Sequence, residues 1–104
     1  MAERKAATNG NKRAQQPVPP RTLMQAHEAL VAIRPKGNAS LATWKTYYEQ
    51  SVALYQQIAE IDRGHHHEAL YWADREQKSA DEIAARISAG ASPQQPVPNP
   101  EWSK

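Results

Sequence analysis

The sequence predicts an all-α protein: a short helix packed on a long helix with a possible bend at Gly64, closing as a helical hairpin or three-helix bundle between disordered ends. Three observations carry this. Apolar residues recur at the helical period from Leu41 onward. Thr22 and Ser40 stand as N-cap residues, and Pro35, Gly37 and Gly90 stand where helices should stop. Nearly all the large apolar side chains lie between Leu23 and Ile87, so the core is confined to residues 22–90.

The elements follow in order. Residues 1–21 are polar, poor in apolar side chains and end in Pro17-Val18-Pro19-Pro20, which predicts a disordered basic tail. Thr22 followed by Gln25 fits a capping box and starts the first helix, with Leu23, Met24, Leu30, Val31 and Ile33 as its apolar residues. A helix of about 11 residues cannot hold itself in water and must pack on something. Ser40 caps the second helix. At 100° per residue, Leu41, Trp44, Tyr47, Tyr48, Val52, Leu54, Tyr55, Ile58, Ala59 and Ile61 fall in one arc of roughly 180°. Ala69, Leu70, Trp72, Ala73, Ala80, Ile83, Ala84 and Ile87 continue that phase beyond Gly64, which favours one helix from Leu41 to Ser88. A glycine within a helix costs only about 1 kcal/mol. Asp74 with Lys78 and Glu82 with Arg86 are i,i+4 pairs in the favourable order, and Gly90 suits a C′ position. Residues 91–104, with four prolines, predict a second disordered tail. Gln-Gln-Pro-Val-Pro occurs at 15–19 and again at 94–98; it reads as polyproline spacer more simply than as a docking peptide.

An uninterrupted helix of this kind would be about 70 Å long, and the first helix would cover about 17 Å of it. The arc must then be covered by folding back at Gly64 or by a second chain. A core drawn from about 65 residues is marginal alone. There is no cysteine to staple it. These points predict a homodimer or docking on a larger protein partner, with Trp44, Tyr48, Tyr55, Leu70, Tyr71 and Trp72 as interface candidates. Base stacking is the weaker reading of these aromatics, because few basic residues interleave with them.

Net charge is +2, unevenly placed. Residues 1–21 carry five Lys/Arg against Glu3, and the remainder carries eight Lys/Arg against ten Asp/Glu. Nucleic acid is therefore expected, if at all, at the N-terminal arm. No apolar run predicts a membrane span, and no secretory signal is read at the start; a cytoplasmic location is the expectation.

The most unusual stretch is Asp62-Arg63-Gly64-His65-His66-His67-Glu68. On a helix Asp62 shares a face with His65 and His66, the carboxylate-x-x-His spacing used in metal-binding bundles. Adjacent histidines point about 100° apart, so three in a row cannot chelate one ion. A second such motif is missing, and Glu28 and His27 could help only if the first helix packs near Asp62. The simpler reading is a paired polar layer at a bend; protonation of His65 and His66 would make it a pH switch. Tyr71 and His67 are the best candidates for a contact outside the core. No cofactor and no enzyme chemistry are expected: there is no Cys nucleophile, no phosphate-cradling glycine loop and no H-E-x-x-H.

The block from Asp62 to Ala73, D-R-G-H-H-H-E-A-L-Y-W-A, resembles the signature of a family of short, uncharacterised actinobacterial proteins. The resemblance extends less specifically through Leu23–Leu30 and Trp44–Ile61. It implies a cytoplasmic actinobacterial protein and supplies no site or cofactor. The expected function is a non-enzymatic interaction or regulatory protein acting through a helical interface. The alternatives are a DNA-associated accessory protein and a small metal-binding bundle.

Overall fold

The computed structural model describes residues 19–96. Among these, three α-helices form and no strand does: α1 over Leu23–Ile33, α2 over Leu41–Ile61 and α3 over His66–Ser88. A single 3-10 turn, Arg63–His65, joins α2 to α3. The two tails expected to be disordered lie largely outside the described residues, as do Trp102 and the first Gln-Gln-Pro-Val-Pro copy.

The fold is all-α as expected, but one helix from Leu41 to Ser88 does not form. At Asp62 the backbone turns to φ −103, ψ 72, leaving the helical region, and the chain reverses. Phase on a helical wheel reports which residues of each helix share a face; it cannot report whether the axis reverses. The 62–65 connection spans about one helical turn, so α3 resumes nearly in phase. Folding back buries what a straight helix would leave bare. Leu41, Trp44, Tyr48, Ile58, Ala59, Ala69 and Ile83 become almost wholly inaccessible. The hairpin thus removes the reason for invoking a second chain to cover the arc.

Cross-helix contacts give the bundle its order. Asp62 meets the amide of Leu23, His27 meets Tyr55, the Tyr47 hydroxyl donates to the Leu30 carbonyl, and Trp44 Nε1 donates to the Lys36 carbonyl. Helix α1 therefore runs antiparallel to α2. Tyr55 stacks on Trp72, so α3 also runs antiparallel to α2 and alongside α1. Fully buried Ser51, which the wheel missed, spends its hydroxyl on the Tyr47 carbonyl within α2 at 2.9 Å. A small side chain there lets α3 approach.

The caps read from sequence are present. Thr22 Oγ1 accepts from Gln25 N at 3.1 Å, and Gln25 Oε1 accepts from Arg21 N at 2.9 Å. Ser40 Oγ accepts from Thr43 N at 3.1 Å. Gly90, at φ +112, closes α3 with a Schellman motif: Ala91 N donates to Arg86 O and Gly90 N to Ile87 O, both at 3.0 Å. Gly64 plays no such part; it lies inside the 3-10 turn.

The segment after Gly90 is tied to the bundle. Leu41 N donates to Gln95 O and Ala42 N to Pro93 O, each at 2.8 Å. The first amides of a helix have no partner within it; here carbonyls from the C-terminal segment accept from two of them. Residues 91–96 are thus a strap across the start of α2, where the sequence predicted the beginning of a loose tail.

Candidate functional site

Helix α1 packs on α2 and leaves a groove along its junction with α3. The groove has two parts, and His27 borders both.

One part lies by the 62–65 turn. It is a hollow of about 350 Å³ bordered by Thr22, Leu23, Met24, Asp62, His65 and Glu68 as well as His27. Asp62 organises it. Its Oδ2 accepts from Leu23 N and pairs with His65 Nδ1, both at 2.9 Å. The Leu23 amide, then His65, hold the Asp62 carboxyl below its ordinary pKa. The polar layer expected at the bend is therefore formed, and its central carboxylate fastens the start of α1 to the turn, 39 residues away.

The other histidines separate. His66 Nδ1 lies 2.7 Å from the Ala59 carbonyl, which can only accept, so that nitrogen carries the proton. Arg63 Nη1 lies 3.1 Å from the same nitrogen, but two donors cannot bond each other; its usable acceptors are again the Ala59 carbonyl, at 3.3 Å, and Glu60 Oε1, at 3.4 Å. His67 is exposed beside the His66 ring. Helix α1 does pack near Asp62, the condition for His27 to join a metal site, yet His27 Nδ1 faces the Tyr55 hydroxyl at 2.7 Å. Among the described residues no three His, Asp or Glu side chains converge as metal ligands.

The second part is a cavity of about 200 Å³ deeper along the groove. Helix α1 contributes His27, Leu30 and Val31, with Arg34 just past its end; α2 contributes Tyr47, Tyr48 and Tyr55; α3 contributes Trp72, Arg75 and Glu76. Arg75 lies 5.2 Å from the centre of the Trp72 ring, and Arg34 lies 5.3 Å from that of Trp44. Burial pushes the Glu76 carboxyl up, against the pull of Arg75 and Arg34 and the nearby Ser51 hydroxyl. Burial likewise raises the Tyr47 and Tyr55 phenols.

The interface candidates divide. Trp44, Tyr48 and Tyr55 are buried in the chain's own core, so their apolar area is already covered. Trp72 is half-buried and forms a wall of the cavity. Tyr71 is 59% exposed and stands beside Trp72 at the groove's rim. Leu70 is 40% exposed but lies about 160° around α3 from Trp72, off the groove. Sequence reasoning missed Arg34, Arg75 and Glu76 as a group. Arg34 ends one helix and the other two sit mid-way along another, and no spacing rule connects them.

No helix of the described residues is long and apolar enough to cross a membrane. Comparison of the chain with protein-family models, curated proteins and solved structures returns no match.

Proposed function

We propose that the protein is a non-enzymatic interaction module that docks a protein partner along the face formed by α1 and α3. The observation that carries this reading is the exposure of large apolar side chains beside the groove. Met24 and Val31 on α1 are 70% and 71% exposed, and Tyr71 stands at the rim on α3. A protein that has buried Trp44, Tyr48 and Ile58 almost completely has no shortage of interior for such residues. Exposed apolar groups that lie together and are rimmed by polar side chains favour a binding surface. Here the polar rim is Asp62, His65, Glu68 and Arg75, which supplies orientation.

The test compares Val31→Asp and Tyr71→Asp with Ala53→Asp, at an exposed position of α2. Untagged chain is used to recover partners from the native host, and sedimentation reports self-association. A partner, or a second copy, retained by wild type and Ala53→Asp but lost by both groove variants is the expected result. Equal recovery with all four proteins would sink the reading. The runner-up, a DNA-associated role, rests on the charge of residues 1–21, most of which lie outside the described residues. It predicts a complex that weakens steeply with salt and is lost on deleting that arm.

A further inference from the structure

The cavity holds chemistry that a protein-docking groove does not need. We propose that it is a binding site for a small single-ring aromatic carboxylate, with the ring packed against the wall formed by His27, Tyr55 and Trp72 and the carboxylate held by Arg34 and Arg75. The inference stands on the cavity's own lining and does not depend on what docks along the outer groove.

Size comes first. An engineered cavity of about 150 Å³ accepts benzene, so about 200 Å³ suits one ring with one small substituent. The walls suit a ring. Tyr55 and Trp72 are stacked at 28° with centroids 6.2 Å apart, and His27 stands edge-on to both. The three rings pack on one another into a single aromatic wall of the cavity, against which a further ring can pack.

Charge sets the ligand's sign. Arg34 and Arg75 outnumber Glu76, so the lining is net positive. Each guanidinium lies over an indole, which supports its face and directs its N–H edge to acceptors in the plane, where Glu76 and an incoming ligand compete for it. A carboxylate matches that edge. A cationic ligand would meet two fixed cations and find the aromatic faces of Trp44 and Trp72 already taken.

Glu76 supplies discrimination. Its carboxyl faces Arg75 on its own helix, Arg34 at the end of α1, and Ser51 on α2. His27 from α1 and Tyr47, Tyr48 and Tyr55 from α2 line the same space. An incoming carboxylate competes with ionised Glu76 for the two arginines and is repelled by it. Protonated Glu76 removes the competitor and becomes a donor. Binding therefore takes up a proton, and affinity rises as pH falls while the ligand remains ionised.

The experiment titrates the full-length chain with benzoate, benzyl alcohol, benzylamine and acetate, followed by calorimetry and by the side-chain resonances of His27 and Trp72. Saturable one-to-one benzoate binding that shifts both resonances is expected. Benzyl alcohol and acetate should bind on the order of tenfold weaker or more, since each lacks half of the recognition. Benzoate affinity should rise as pH falls from neutrality towards the range where Glu76 takes up its proton. Glu76→Gln should bind at least as tightly and lose that pH dependence. Arg34→Gln and Arg75→Gln should each weaken binding on the order of tenfold. Benzylamine binding as tightly as benzoate, no saturation by benzoate, or benzoate binding unchanged in both folded arginine variants would each overturn the proposal. If the arginine variants fail to fold, the comparison of benzoate with benzylamine on the natural chain decides it alone.

Discussion

Ile83→Ala tests the fold-back directly. In the hairpin Ile83 is wholly inaccessible, buried in the core with Trp44. On an uninterrupted helix it would lie about 32 Å beyond Asp62 at 1.5 Å per residue, far from anything α1 could cover. The substitution removes three carbons from a closed site. At about 0.8 kcal/mol per buried methylene the transfer loss is roughly 2.4 kcal/mol, and any cavity left behind adds to it. A domain of this size sits near the lower end of the usual range, about 5 kcal/mol in total, so the loss is severe. A melting midpoint lowered by about 10–20 °C corresponds to it. Urea unfolding followed by far-ultraviolet circular dichroism gives the free energy, with Ile33→Ala as control because Ile33 is 55% exposed. The slope against urea should be unchanged, which keeps the comparison on stability. An Ile83→Ala loss below about 0.5 kcal/mol, the range of ordinary surface changes, would refute the packing of α3 on α2. A midpoint that rises with protein concentration would show instead that another chain supplies the cover.

Four further outcomes are expected. Gly90→Ala should cost about 1–2 kcal/mol, because a left-handed backbone is strained for any residue with a Cβ, whereas Gly64→Ala should be neutral or stabilising by up to about 1 kcal/mol, since a Cβ there meets nothing within 4 Å; thermal melts distinguish the two. Tyr55→Phe should cost about 1 kcal/mol by stranding His27 Nδ1, read by urea unfolding, and a loss indistinguishable from zero would mean that this contact is not formed. Ending the chain after Gly90 should speed amide exchange at Leu41 and Ala42, which lose their carbonyl partners, and leave Leu23 unaffected. Asp62, whose pKa is lowered, stabilises the fold above about pH 4 and loses that contribution as pH falls through its folded pKa; Glu76, whose pKa is raised, has the opposite sign, so Asp62→Asn should flatten the acid limb of the stability profile while Glu76→Gln flattens the decline above about pH 4.

Much of the fold was legible because helices announce themselves locally. Thr22, Ser40 and Gly90 occupy the cap positions their chemistry suits, and the wheel over Leu41–Ile61 picked out nearly all of the buried face of α2. Three features were not legible, for one reason. The reversal at Asp62, the strap of residues 91–96 and the grouping of Arg34, Arg75 and Glu76 each depend on residues distant in sequence becoming neighbours. The reversal illustrates it. Asp62 is a poor helix former, but its departure from helical geometry is held by an acceptor bond to Leu23, which no window around Asp62 contains.

That same bond explains why the unusual Asp62–Glu68 block need not be a ligand site. A turn that must reverse a helix, receive the amino end of α1 and stay hydrated calls for a carboxylate and for side chains that can donate to it and to the last carbonyls of α2. Asp62 and His65 meet the first requirement, and His66 and Arg63, both directed at the Ala59 carbonyl, meet the second. Helix termini expose unpaired carbonyls in any case, and cationic or protonated donors at a C-terminus also suit its dipole. His67 and Glu68 are left over by this accounting. Both are exposed on the first turn of α3, Glu68 borders the hollow shared with Met24, and neither is needed to hold the turn. The folding requirement thus accounts for the front of the block and leaves its back, His67 and Glu68, as the part on which the proposed docking face can draw.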